Sequence, residues 1–126
     1  MKFHHIGIAT KDLKSSLEFV QKNFEVLEVS EEIFDENQNA TLQMIKTKDL
    51  NIELVSGKVV EKLIASKITY YHICYEVEDI YGKIEEFQKN GGAMLVSSVK
   101  PAILFDNRLV AFLMTPLGLA ELLNAN

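Results

Sequence analysis

His5-Ile6-Gly7-Ile8-Ala9-Thr10-Lys11-Asp12-Leu13 and, 67 residues later, His72-Ile73-Cys74-Tyr75-Glu76-Val77-Glu78-Asp79-Ile80 are the stretches that decide the fold of this 126-residue chain. In the same register Glu18 meets Glu85, Gln21-Lys22-Asn23 meets Gln88-Lys89-Asn90, and Val29-Ser30 meets Val96-Ser97. Leu13/Ile80 and Leu17/Ile84 are conservative pairs. An ungapped match of this density marks an internal duplication, so one supersecondary unit has to be read twice.

Working outward, each copy opens with a run of β-branched and aromatic residues, Phe3 to Ala9 and Tyr70 to Val77, that suits a strand. Asp12 or Asp79 then stands where it can cap a helix. The apolar residues that follow, Leu13, Leu17 and Val20 or Ile80, Ile84 and Phe87, recur at three- and four-residue steps. Asn23 and Asn90-Gly91-Gly92 are stop signals. Three strand-like runs complete each copy: Val26 to Phe34, Ala40 to Lys46 and Asn51 to Val55, then Ala93 to Val99, Arg108 to Met114 and Leu119 to Leu123. Each unit reads β-α-β-β-β. Between them Val59, Val60, Leu63 and Ile64 have helical spacing, so a linking helix is expected over about 58–67, with module 1 at about 1–57 and module 2 at about 68–126. Neither half, at about 60 residues, has core enough to stand comfortably alone, and the expectation is one α+β domain over 1–126.

Composition removes several classes of function. Apolar residues are 48% and charged residues 25%, ordinary globular values. The net charge of −5, with lysines scattered singly, offers no basic patch for a nucleic acid. No apolar run approaches the ~18 residues of a membrane span, and Met1-Lys2-Phe3-His4-His5 has no cleavable signal pattern. A single cysteine, Cys74, asks for no oxidising compartment, so the cytoplasm is expected.

Two of the three histidines open the repeats at matched positions. Glu53 lies 48 residues after His5 and Glu121 lies 49 after His72, each flanked by aliphatics in the last strand of its copy. A carboxylate in such a setting is costly to bury unless a cation pairs with it. Two imidazoles and two carboxylates give an N2O2 set suited to Ni, Co, Mn, Fe or Zn. By strand alternation His5, Gly7 and Ala9 share one face, as do His72, Cys74 and Glu76. Asn107 and Arg108 read equally as residues that orient an anionic substrate and as a turn asparagine and a surface arginine.

The paired His-Ile-Gly-Ile-Ala and His-Ile-Cys-Tyr-Glu-Val-Glu-Asp-Ile starts, with glutamates in the closing strands, resemble the vicinal oxygen chelate superfamily, which holds glyoxalase I, methylmalonyl-CoA epimerase, extradiol dioxygenases and the bleomycin- and fosfomycin-resistance proteins. Tyr71 to Ile80, Val59 to Ile64 and Ile52-Glu53-Leu54 look most like the epimerases and small bacterial glyoxalase-like proteins. The resemblance implies tandem βαβββ modules forming a curved sheet around a metal and substrate cleft. It implies one divalent ion on His5, Glu53, His72 and Glu121, with Glu121 as the catalytic base and Glu53 as the other catalytic carboxylate. A homodimer and a small substrate, an acyl-CoA or a thiol adduct, are further implications. The sequence also departs from the family. Leu42 or Gln43 stands where some epimerases carry a second acid, with Glu36 in the preceding loop as the nearest substitute. Ala9 stands where glyoxalase I carries an arginine for glutathione. The leading expectation is proton transfer next to a carbonyl, epimerase-like ahead of lactoylglutathione-lyase-like. A metal-free binding or resistance protein and an Fe(II) dioxygenase built on His5, His72 and Glu121 are the alternatives; Glu53 fills a position the dioxygenases leave open.

Overall fold

Asp12 and Asp79 start the two long helices in the same way. Each has extended backbone, and its carboxylate accepts the backbone N–H three residues on, from Ser15 or Gly82, at 3.2 Å. The computed structural model describes residues 1–126. Its elements are β1 (Lys2–Ala9), α1 (Leu13–Asn23), β2 (Val26–Val29), β3 (Ile33–Asp35), β4 (Ala40–Thr47), β5 (Asn51–Gly57), α2 (Glu61–Ala65), β6 (Tyr70–Val77), α3 (Ile80–Asn90), β7 (Met94–Ala102), β8 (Arg108–Thr115) and β9 (Gly118–Asn124). This is the expected α+β order, a β-α-β-β-β unit occurring twice. The expected linking helix is a 3-10 turn over Lys58–Val60 running into α2, and Lys67 then takes φ 58° and turns the chain toward β6. None of the three helices is long and apolar enough to cross a membrane.

The chain forms two compact units. One is His5–Tyr71; the other joins Met1–His4 to His72–Asn126. In the first the strand order is β2-β4-β5-β1, with β3 also against β4, and β1 and β5 run parallel. In the second the order is β6-β9-β8-β7, with β6 and β9 parallel. Each of the two long helices buries its apolar stripe on its own strands. Leu13 and Val20 pack on Ile45, Ile52 and Leu54 in the first unit. In the second, Ile80 and Ile84 pack on Val77, Ala111, Leu113 and Leu122. Each valine, leucine or isoleucine among them contributes roughly 1.5–3 kcal/mol through burial.

β7 runs past its expected end at Val99 to Ala102, and one expected strand is interrupted. Val26 to Phe34 is not continuous: it breaks at Ser30-Glu31-Glu32 into β2 and β3. Val29 opposes Ile45 and Ile33 opposes Leu42, so three residues face two and one is extra. Ser30 absorbs the irregularity, its Oγ accepting from Met44 N at 2.9 Å and its carbonyl from the Gln43 amide at 3.1 Å.

The two copies do not keep one offset throughout. The caps are 67 apart, whereas the closing hairpins are 68 apart: Thr47 Oγ1 donates to Leu50 O at 2.7 Å, and Thr115 Oγ1 to Gly118 O at 2.9 Å. The extra residue lies in the turn before β8. Asp35 pairs Ala40 across four residues, while Ala102 pairs Arg108 across five. Asn39 and Asn107 end these turns in the same left-handed conformation, φ 53° and 64°, and Asp106 at 53° takes up the insertion. This turn accounts for the unequal 48- and 49-residue spacings from histidine to glutamate.

Candidate metal centre

Each copy brings its histidine to its own glutamate through a parallel strand pair. In the first unit β1 lies beside β5 with Gly7 opposite Glu53, and Met44 of β4 faces Glu53 from the other side. Ile52 and Leu54 turn toward α1, so alternation turns Glu53 to the opposite face. There His5 Nε2 stands 3.8 Å from Glu53 Oε2, with side chains 0% and 2% exposed. In the second unit β6 lies beside β9 with Cys74 opposite Glu121, and Phe112 of β8 faces Glu121. His72 Nε2 is 3.2 Å from Glu121 Oε1, again 0% and 2% exposed. The Phe112 ring meets the imidazole edge-on at 5.4 Å. The molecule therefore contains two buried imidazole–carboxylate pairs built on the same strand geometry. Carboxylates are almost never buried to this degree without a positive partner.

Beyond His72 on the same face of β6 lies buried Cys74, which packs with Ala102, Val110 and Leu123 against Phe105. Phe105 in turn meets the His4 ring edge-on at 5.4 Å. Next comes Glu76. Arg108 Nη2 donates to Glu76 Oε2 at 2.5 Å, and Arg108 Nε donates to the Asn124 carbonyl at 2.8 Å. The hydrogen bond from Arg108, and then its charge with those of His4 and Lys2, hold the Glu76 carboxyl below its ordinary value against the opposing effect of burial. In the second unit, then, one strand face leads from an imidazole–carboxylate pair across an apolar patch to an ion pair.

The residues singled out from the sequence fall as follows. His5 with Glu53, and His72 with Glu121, are paired in their own units. Asn107 ends the β7–β8 turn with its N–H on Ala102 O at 2.9 Å, and Arg108 holds Glu76. Leu42 is buried, Gln43 is spent on Ser30, and Glu36 is exposed in its turn, so none of them supplies a buried acid. The acid that sequence reasoning passed over is Asp35. It is 4% exposed and accepts from Asn37 N and Gln38 Nε2, both at 2.9 Å, with Gln38 Oε1 accepting from the Tyr71 hydroxyl at 3.2 Å. Its only sequence signal is the turn-forming run Asp35-Glu36-Asn37-Gln38-Asn39.

A duplicated β-α-β-β-β unit with a histidine in each first strand and a glutamate in each last strand defines a class of protein. The chain belongs to the Glyoxalase/Bleomycin resistance protein/Dioxygenase superfamily, whose family model matches residues 4–112. Among solved structures it is similar to the methylmalonyl-CoA epimerase of Mycobacterium tuberculosis, at 18% identity over 99% of this chain and 88% of that one, TM-score 0.83. It is also similar to the hypothetical protein BH1468 of Bacillus halodurans C-125, at 24% identity over 99% and 94%, TM-score 0.77. At these identities the likeness is one of fold. No curated protein matches the sequence.

Proposed function

We propose that His5, Glu53, His72 and Glu121 together hold one divalent metal ion, and that the chain is a metal-dependent enzyme moving a proton at the carbon next to a carbonyl. The observation that carries this reading is the repetition of one buried histidine–glutamate pair in both copies. The donor set fits the group: two imidazoles and two carboxylates suit Ni, Co, Mn, Zn or Fe, and a dication offsets the cost of burying both carboxylates. The chemistry such an ion supplies is stabilisation of the oxygen on which negative charge develops as the proton leaves carbon.

The remaining roles fall to the chain. Glu121 takes the proton and returns it, acting as base and then acid. Glu53, its counterpart in the first copy, is the alternative carboxylate for that step. Arg108 and Asn107 orient an anionic group of the substrate. An acyl-CoA epimerase-type reaction comes ahead of a lactoylglutathione-lyase-type one, because buried Ala9 takes the place of a glutathione-holding arginine. The reading includes a homodimer and a cytoplasmic protein, the latter consistent with the buried thiol of Cys74.

Metal analysis of the purified protein, followed by turnover assays on 2-methyl-branched acyl-CoA epimers and on hemithioacetals, tests the proposal. Expected are about one divalent ion per chain and incorporation of solvent deuterium next to the carbonyl. A protein that is metal-free after purification, and that neither binds added metal nor exchanges either substrate, overturns it.

A further inference from the structure

The second unit has an apolar cleft where the first unit carries packed apolar side chains. Beneath the C-terminal end of α1, Phe24, Val26, Leu50 and Ile52 all pack into one cluster with Leu13, Val20 and Leu54. The residues at the matching positions in the second copy are Gly91, Ala93, Gly118 and Ala120. Four apolar side chains are reduced to hydrogen or methyl at one place. Tyr75 for Ile8 and Phe87 for Val20 restore only part of the bulk. What is left is a cleft of about 290 Å³, with Ile73, Tyr75, Phe87, Ala93, Pro116 and Leu117 among its walls. A Cβ built on Gly91 meets nothing within 4 Å.

No charged side chain lines this space, and its border holds Met1, which bears the amino terminus, and the Asn90 amide. The Thr115 hydroxyl in its wall is committed to Gly118 O and Leu117 N, at 2.9 and 3.0 Å. The cleft opens to solvent at exposed Gly91, Gly92 and Leu117, and water in it meets mostly apolar wall, so a small apolar molecule gains by displacing it. The first copy shows that the same scaffold accepts the side chains that fill it, a phenyl ring foremost. Ile73 and Ala120 alternate with His72 and Glu121 along β6 and β9, so the cleft lies on the opposite strand face from that pair.

We infer that this cleft is a second binding site, taking a small uncharged aromatic or branched-alkyl molecule of about ten non-hydrogen atoms. Titrating the full chain with indole, followed by amide NMR and thermal unfolding, tests it. Expected are saturable shifts centred on Ile73, Tyr75, Phe87, Gly91–Ala93 and Thr115–Ala120 and a raised unfolding temperature. Ala93→Val with Ala120→Ile, which restores first-copy residues, should weaken indole at least tenfold and raise the unfolding temperature without ligand. Leu117→Asp, at a rim residue 71% exposed, leaves the core untouched and should weaken indole by a similar factor. Non-saturable shifts, shifts centred on His72 and Phe112 instead, or equal affinity in parent and Leu117→Asp overturn the inference.

Discussion

Replacing His72 with alanine tests the metal assignment most directly. The imidazole is fully buried, 3.2 Å from Glu121 and braced by Phe112. Its loss leaves a hole and separates a buried carboxylate from its partner, costing about 3 kcal/mol. A chain of 126 residues unfolds with an entropy of about 0.26 kcal/mol/K, so each kcal/mol moves the midpoint by about 4 °C. In chelator the variant should therefore melt about 11 °C below the parent. Its total stability, about 6–19 kcal/mol by size, leaves it folded at room temperature. Metal at a hundredfold excess over Kd should raise the parent by about 2.7 kcal/mol, or roughly 10 °C. That rise should nearly vanish in the variant. Circular dichroism melts of both proteins, with chelator and with manganese, nickel, cobalt or zinc, supply the four curves. An equal metal-dependent rise in parent and His72→Ala refutes the assignment, whatever the variant's basal midpoint.

Glu121→Gln keeps an oxygen donor of the same shape and loses basicity, so it should retain metal while turnover falls by about 10²–10⁴-fold; deuterium exchange at the parental rate would make Glu121 a ligand only. The Glu76 carboxyl is held below its ordinary 4.5 by Arg108. Its contribution, about 1–2 kcal/mol, is fully present above that ordinary value and is lost as pH falls through the folded pKa, so the midpoints of parent and Glu76→Gln should converge between pH 6 and pH 3 in chelator. Asp12→Ala and Asp79→Ala, removing matched caps, should each cost about 1 kcal/mol in urea unfolding; a large effect at one site only would show that the two caps are not energetically equivalent.

Much of this structure was legible in the chain, because duplication doubles every signal. Asp12 and Asp79 announced their helices, and the aliphatic neighbours of Glu53 and Glu121 in matched closing strands marked both carboxylates as candidates for burial. The break at Ser30 was not legible: Glu31 and Glu32 are solvated either as strand or as bulge, and only the register against β4 distinguishes the two. The inserted residue at Ile103–Asn107 was hidden because left-handed aspartate and asparagine accommodate it without a glycine. The Glu76–Arg108 pair lies beyond sequence reading for another reason. β9 runs between β6 and β8, so the two side chains meet across an intervening strand, and no spacing along the chain records that.

That ion pair is where the copies part company most clearly. By the offsets of 67 and 68, Glu76 corresponds to Ala9 and Arg108 to Ala40, so two small buried residues in one copy stand where an ion pair stands in the other. The histidines and glutamates are matched while this position is not, which puts a cationic side chain at this end of the second copy where the first has Ala40 opposite Asp35. A substrate with one anionic group then has a preferred orientation on the proposed site. Arg108 spends Nε on Asn124 and Nη2 on Glu76, and a guanidinium has three further N–H donors to offer. Removing it should therefore act on binding before chemistry. Arg108→Met should raise KM for an anionic substrate at least tenfold with kcat changed less than threefold, and Glu76→Gln should raise KM less, since it leaves the guanidinium in place. A fall in kcat at constant KM in Arg108→Met would mean that the arginine only braces the strands.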